Sequence, residues 1–258
     1  MIRRQLIYIA TAIMFFTRIP IPFKIPYSEE IMNKSQRYFP FIGYIVGGVA
    51  AMSFYLFQFL FSIDIAIVLS MCISVLLTGA FHEDGFTDVC DSFGGGYGKE
   101  KIMTIMKDSR IGAYGVIGIV LLLLLKFLAL HELGSASISL VVITLINAHI
   151  TSRFHASTMI YTHQYVRDTD QSKSKPLANK RLPYQSLLFS LTITLVPFFL
   201  YNNYMFILSF FISYLGKLYL AYYFKKHIGG YTGDCLGTIQ QVCEVLFYLS
   251  TILLWKFM

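Results

Sequence analysis

A dense run of acidic and glycine residues spans positions 82–96, directly after a long apolar segment. Asp84, Asp88 and Asp91 are spaced i, i+4, i+7, so a helix over this run would place all three carboxylates on one face. Carboxylates this close repel one another unless a cation lies between them. Mg²⁺ takes oxygen ligands and usually binds a few carboxylates together with substrate phosphates. The spacing therefore predicts a Mg²⁺ site for phosphate chemistry, the alternative being a solvated acidic loop at the membrane edge.

Three consecutive glycines, Gly94, Gly95 and Gly96, follow the aspartates at once. Glycine lets a backbone approach a phosphate closely and exposes its N–H groups. A glycine run by itself is more often a flexible turn. Beside three aspartates, it becomes a candidate phosphate-binding segment.

Basic residues follow at the start of the next apolar segment, in the run Lys107-Asp108-Ser109-Arg110. Lys107 and Arg110 could hold phosphate oxygens, and an arginine offers a two-pronged contact. The alternative is that both simply mark the cytoplasmic start of a helix. Asp108 between them favours a specific charge cluster that contributes to substrate binding.

Further polar residues lie inside or beside later apolar segments. Arg153 would be costly at membrane depth unless it faced a cavity, a partner or the interface. Asp234 is a candidate for helix capping or for ligand binding. Gln240 and Glu244 share a helical face, and the burial cost of Glu244 indicates either a function or a paired partner.

The composition indicates a membrane protein. Of the 258 residues 56% are hydrophobic and only 14% are charged, whereas soluble domains are about a quarter charged. A membrane span needs roughly 20 apolar residues. Seven segments meet or approach this length, at about 41–61, 65–81, 113–130, 138–160, 187–201, 205–224 and 236–255. We expect an all-α, polytopic membrane helix bundle of about seven transmembrane helices in a single domain, 1–258, in contact with the lipid bilayer.

The distribution of basic residues predicts an orientation. Alternating connections put residues 1–40, 82–112, 161–186 and 225–235 on one side, together with 17 of the 21 Lys and Arg. Cytoplasmic loops are enriched in these residues, so we expect this side to face the cytoplasm and the chain to lie in the cell inner membrane. The N-terminal apolar stretch, 6–16, is short for a span, which predicts an interfacial or re-entrant helix. Because the positive charge follows this pattern, the net charge of +7 does not indicate nucleic-acid binding.

Several of these motifs together resemble the cobalamin synthase family of adenosylcobinamide-GDP ribazoletransferases. The resemblance rests on the runs FFTRIPIP (15–22), HEDGFTDVCDSFGGG (82–96), MKDSRIGAYG (106–115) and GYTGDCLGTIQQ (230–241), with Phe39, Pro40 and Gly43. These motifs extend over nearly the whole chain in a consistent order. Ser92 stands where the family pattern has glycine, and Phe86-Thr87 replaces a small apolar pair, but no carboxylate is lost.

The resemblance implies an integral membrane enzyme that uses Mg²⁺ in the last step of cobalamin nucleotide-loop assembly. Adenosylcobinamide-GDP would react with α-ribazole, or its 5′-phosphate, and release GMP. In phosphoryl transfer the protein mainly positions groups and stabilises charge. Asp84, Asp88 and Asp91 would then hold one or two Mg²⁺ ions on the pyrophosphate, with Glu83 as a further ligand or a supporting residue.

Phosphate oxygens would be held by Lys107, Arg110 and Arg153. Asp91 and His82 are the candidate bases for the ribazole hydroxyl, with Asp91 slightly favoured because it lies beside the metal. The sequence is compatible with a homo-oligomer.

Two other functions remain open on the sequence. A CDP-alcohol phosphotransferase also uses aspartates at a membrane edge, but its motif has an Asp three residues before an Asp-Gly pair, where this chain has Phe81. A divalent-cation carrier would also contain acidic residues within the membrane. Here the carboxylates cluster on one side, which favours the enzyme.

Overall fold

The computed structural model describes residues 2–26, 28–166, 183–201 and 204–257, and these residues are mostly helical. The helices are α1 (Ile2–Phe16), α2 (Glu29–Ser35), α3 (Phe39–Phe57), α4 (Ile63–Thr78), α5 (Phe81–Gly95), α6 (Lys99–Ile105), α7 (Ala113–Ala136), α8 (Ile138–Thr162), α9 (Tyr184–Tyr201), α10 (Tyr204–Ile228) and α11 (Gly233–Lys256). A 3₁₀ turn, Gln36–Tyr38, joins α2 to α3. Within the described ranges β-pairing is limited to an isolated bridge between Tyr165 and Tyr231, which confirms the predicted all-α class.

Each of the seven predicted apolar segments forms a helix, namely α3, α4 and α7–α11. Fewer qualify as membrane spans by length and apolarity. In the described part of the chain, four stretches are long and apolar enough to cross a membrane, namely the continuous run Glu29–Phe57 and the helices α7, α10 and α11. Counting the bent pair formed by α4 and α5 as one span raises the number to five. Helix α9 is short, and α8 is long but rich in polar side chains. The bundle is thus polytopic, as predicted, with fewer self-sufficient spans than the expected seven.

Helix α8 lies at the centre of the bundle, and most of its side chains from Leu140 to Ile160 are buried. Helix α3 packs closely along it through glycines. A Cβ atom on Gly43 would lie only 2.5 Å from the Ile150 Cα, and one on Gly47 would lie 3.0 Å from the Ile146 Cα. Small residues four apart allow such close helix contact in membranes.

The chain bends by 89° between α4 and α5. Two consecutive residues, Gly79 (φ 67°) and Ala80 (φ 57°), adopt the left-handed conformation at the bend. The first ends α4 in the usual manner of a C-terminal glycine, whereas a left-handed alanine is uncommon. As a result the acidic helix α5 runs across the end of the bundle instead of continuing the span.

Helix α1 packs on the bundle along one face. Tyr8, Ala12 and Phe16 are buried, while Leu6 and Met14 are exposed. Its 15 residues extend over about 22 Å, less than the roughly 30 Å hydrocarbon layer. This geometry agrees with the predicted interfacial or re-entrant N-terminal helix.

Candidate active site

The acidic motif is helical, as the spacing required, because α5 covers Phe81–Gly95. Asp84 in its first turn is exposed, and Asp88 one turn later is half-buried. Both therefore stand on the surface that the bend turns away from the spans. In the described residues no group of three or more His, Cys, Asp or Glu side chains is arranged to hold a metal ion.

Asp91 has a different environment from the other two aspartates. Its two carboxylate oxygens each accept a hydrogen bond of 2.7 Å, one from the Gly112 amide and one from the Gly115 amide. These amides belong to the start of α7, whose N-terminal N–H groups lack partners inside the helix. Asp91 thus caps α7 and fixes it against α5.

The glycines after the aspartates do not form a separate loop. Gly94 and Gly95 complete the last turn of α5, and Gly96 follows directly. A Cβ on Gly94 would lie 2.6 Å from the Tyr114 ring, so this glycine allows α7 to pack closely on α5. Their predicted role in phosphate binding stays a prediction, and it would have to use the exposed edge of Gly95.

The predicted basic cluster lies in the connection before α7. Arg110 donates to Asp108 through Nε and Nη2, at 3.0 Å and 2.7 Å, while its side chain remains 87% exposed. These hydrogen bonds lower the pKa of the Asp108 carboxyl to about 2. Lys107 beside this pair is also exposed. Asp108 therefore orients a guanidinium group that stays accessible to a ligand.

Behind α5, a group of buried charged residues lies within the bundle. Lys126 on α7 donates to the Glu244 Oε1 at 2.7 Å, and Gln240 donates to the Oε2 at 2.6 Å. The Tyr248 hydroxyl adds a third hydrogen bond at 3.1 Å, and the His149 Nδ1 lies 3.2 Å from the same carboxylate. The sequence indicated a function or a partner for Glu244, and the structure supplies several partners.

Arg153 is fully buried in the same region, although snorkelling was the alternative. Its Nη1 donates to the His149 carbonyl at 3.0 Å, and its Nε has no partner in the described structure. On the other side, Gln241 donates to the Glu83 Oε1 at 2.8 Å, leaving the buried Oε2 of Glu83 unpartnered. Arg153, Glu83 and Glu244 all line one narrow cavity behind α5. Charged groups at this depth are usually kept for a function.

The N-terminus of α11 meets α5 at a close contact. A Cβ on Gly85 would lie 3.0 Å from the Asp234 Cα, and the Thr238 hydroxyl donates to the Gly85 carbonyl at 3.3 Å. Thr232, not Asp234, caps the helix by accepting from the Cys235 amide. Of the two roles predicted for Asp234, capping of this helix is thus taken by Thr232. Asp234 therefore lies beside the acidic helix α5, where its backbone contacts Gly85.

Two other buried polar residues, His155 and Lys126, lie within apolar helices. His155 lies 3.1 Å from both the Phe210 carbonyl and the Ser213 hydroxyl, so it is a hydrogen-bonded packing residue. Lys126 was not predicted as part of the site. Its position within an apolar segment was the signal that could have identified it, since a lysine there needs a partner.

The chain is similar throughout to proteins of one family. A model of the cobalamin-5-phosphate synthase family matches residues 8–252. A protein of Shewanella amazonensis, named adenosylcobinamide-GDP ribazoletransferase, is 43% identical over 98% of each chain. Proteins with the same name from Vibrio parahaemolyticus (43% identity, 99% of this chain and 95% of the relative) and Leptospira interrogans (45%, 94% of each) are similarly close. No solved structure matches the chain.

Proposed function

The chain belongs to the cobalamin-5-phosphate synthase family, and on this premise we propose that it transfers the adenosylcobinamide phosphate of adenosylcobinamide-GDP to α-ribazole or its 5′-phosphate. A ribazole hydroxyl oxygen attacks the phosphorus atom next to the corrinoid. A new P–O bond forms, the P–O bond to the nucleotide breaks, and GMP leaves. The hydroxyl proton passes to a base.

The observation that carries this proposal is the pair formed by Asp84, which is exposed, and Asp88, which is half-buried, on a helix bent away from the spans in a chain of this family. The pair suits Mg²⁺, because this ion binds one or two carboxylates and completes its shell with water and substrate phosphates. Since Asp91 is committed to capping α7, Asp84 and Asp88 replace the predicted set of three as the proposed ligands. Glu83 points behind α5 and supports the helix from that side. When bound, Mg²⁺ would neutralise charge on the pyrophosphate.

The chain's cationic groups would hold phosphate oxygens. Arg110 is pre-oriented by Asp108 and exposed, and Lys107 stands beside it. An oriented guanidinium loses little freedom on binding, which suits it to a transition state rich in negative charge. Arg153 is buried behind α5, so we assign it to holding that helix through the buried cavity, together with Gln240 and Glu244.

His82 is the better candidate for the base. Its side chain is 2% exposed and its Nε2 has no hydrogen-bond partner among the described residues. It lines both the charged cavity behind α5 and a second pocket beside the first turn of α5, so a hydroxyl group entering either space could reach it. Asp91, the other candidate from the sequence, has both oxygens occupied by the α7 amides.

The positive charge of residues 1–40, 82–112 and 225–235 supports a cytoplasmic position for this face. In a bacterium, adenosylcobinamide-GDP would then reach the enzyme from the cytoplasm, with the protein held in the inner membrane.

Product analysis tests the proposed function. Purified full-length protein in detergent or liposomes is incubated with adenosylcobinamide-GDP, α-ribazole and MgCl₂, and the expected products are GMP and a complete cobalamin in equal amounts. Parallel arms offer a CDP-activated lipid with an alcohol acceptor and Mg²⁺-loaded liposomes without substrate. Product in the lipid arm, or Mg²⁺ flux without GMP release, would overturn the assignment in favour of the other two functions.

A further inference from the structure

A second pocket lies beside the first turn of α5 and has walls of a different kind. It is bounded by Phe15 and Phe16 of α1, Phe39 of α3 and Phe81 of α5. All four side chains come from helix ends on the side of the bundle that carries the acidic motif. This aromatic pocket adjoins His82, which faces both it and the charged cavity behind α5.

The aromatic rings are already arranged as a stack. The Phe16 and Phe39 rings are 4.1 Å apart and nearly parallel, and the Phe39 and His82 rings are 5.8 Å apart at 18°. Phe15 and Phe81 meet edge to face at 5.5 Å. Flat walls of this kind favour a flat aromatic ligand, because offset and edge-to-face ring pairs add attraction beyond simple burial.

Two polar side chains face this apolar pocket without a partner. The Gln36 side chain is 1% exposed, and neither its Nε2 nor its Oε1 has a hydrogen-bond partner in the described ranges. The Nε2 of His82 also has no hydrogen-bond partner among the described residues. Buried amides are nearly always satisfied, because an unpaired buried polar group destabilises the fold. Groups left open in a pocket are therefore suited to a ligand that completes them.

We propose that this aromatic pocket binds the benzimidazole ring of the ribazole acceptor, with Gln36 donating to the ring nitrogen that is not attached to the ribose. The proposal rests on the proposed function and assigns one half of its substrate. Ribazole carries a fused, methylated bicyclic ring with a single free acceptor nitrogen. The four phenylalanines match its apolar faces, and the amide N–H of Gln36 matches that nitrogen.

The nucleotide base of the other substrate fits the pocket less well. Guanine presents several donors and acceptors along its edge, and a pocket whose polar side chains are Gln36, His82 and Tyr165 would leave some of them buried without partners. The corrinoid is too large for the space. The position also suits the acceptor, since a ring held beside His82 places its ribose close to the proposed base.

The pocket is closed down in this structure. Its empty space is about 460 Å³ with the open mouth included, but the centre of a water-sized sphere can move through only about 30 Å³ of it. A bicyclic ring enters only if side chains at the mouth rotate. Rotation of Phe81, which is 38% exposed and packs edge to face against Phe15, would open the mouth, and such rotamer changes are common on binding.

The test compares full-length protein with the variant Gln36→Leu, which keeps side-chain size and removes the amide. We expect the KM for α-ribazole, and its Kd by calorimetry, to rise about tenfold, the usual effect of losing one hydrogen bond. The KM for adenosylcobinamide-GDP should not change. The melting temperature should be equal or higher, because an unpaired buried amide has been removed. An unchanged Kd for α-ribazole, or equal rises for both substrates, would overturn the proposal.

A matched control is Asn147→Leu, which replaces another buried amide with an unpartnered oxygen, on α8 and outside the pocket. Its Kd for α-ribazole should equal that of the parent. Binding and turnover also separate the two proposals. Ribazole that binds to the parent without GMP release would refute the proposed function alone. GMP release with an unaltered Kd in Gln36→Leu would refute the aromatic pocket alone.

A second variant, Phe81→Ala, covers the case in which Gln36→Leu does not fold. Phe81 is partly exposed, so its removal should be tolerated, and it widens the mouth of the pocket. The preference for the dimethylbenzimidazole riboside over a bulkier naphthimidazole riboside should fall at least fivefold. An unchanged preference would count against the ring occupying this pocket.

Discussion

Lys126 and Glu244 form an ion pair of 2.7 Å inside the helix bundle, although 118 residues separate them in the chain. The pair joins α7 to α11, the helices that begin beside the two ends of the acidic helix α5. The pair lines the cavity behind α5, so it holds together the two helices on which α5 rests.

Replacing both partners of this pair should cost less stability than the sum of the two single replacements. Lys126→Met leaves a buried carboxylate short of its cation, and Glu244→Gln leaves a buried ammonium group without a counter-ion. Each should lower the free energy of unfolding by about 3 kcal/mol, whereas the double variant should lose less than the sum by about 1–3 kcal/mol. Denaturation of the detergent-solubilised protein measures this. Additive losses would show that the two charges do not act as a pair.

Asp84→Asn and Asp88→Asn should each abolish ribazole transfer while leaving the fold intact. Asp84 is exposed and Asp88 is half-buried on the same face of α5, and an asparagine of equal size removes the proposed Mg²⁺ ligand while keeping the side-chain volume. The measurements are GMP release and the melting temperature in detergent. Near-normal turnover in either variant would remove that residue from the proposed site.

Asp91→Ala should destabilise the fold, unlike the Asp84→Asn and Asp88→Asn variants, because the Asp91 carboxylate caps α7. Loss of a helix cap typically costs about 1 kcal/mol, and here two amides lose their acceptor. The melting temperature should therefore fall by several degrees, in contrast to Asp84→Asn. An unaltered melting temperature together with lost activity would return Asp91 to a direct catalytic role.

Asp108→Asn should weaken the binding of the nucleotide substrate by releasing Arg110. Since Arg110 lowers the Asp108 pKa to about 2, the carboxylate is ionised at every working pH. A lowered pKa means that the pair is lost only as pH falls toward this value. We therefore expect a several-fold rise in the KM for adenosylcobinamide-GDP that is constant from about pH 5 to pH 9. Glu30→Gln, which breaks an exposed Lys34 pair elsewhere, is the control and should leave the KM unchanged.

The orientation can be tested by labelling cysteines introduced at two exposed positions, in a variant without the four native cysteines. Lys101→Cys in α6 should react with an impermeant maleimide only after the cells are opened, and Ser135→Cys should react in intact cells whose outer membrane is permeable. The variant without cysteine provides the background. The reverse pattern would place the acidic helix on the outer side.

The local features of the site followed from the residue pattern. The i, i+4, i+7 spacing of the aspartates predicted a helix, and α5 is one. Seven apolar segments predicted seven helices, and each is present. Periodicity and apolar length are local properties, so the sequence is sufficient to predict them.

The sequence by itself determined the class of protein, the helical segments, the acidic motif and the family resemblance. The tertiary structure decided which partners those residues have. It turned Asp91 toward α7, bent α5 away from the spans at Gly79 and Ala80, and paired Glu244 with Lys126. It also brought Gln36 into a pocket with phenylalanines from three helices. These relationships depend on how helices distant in the chain pack against one another, and no local pattern contains that information.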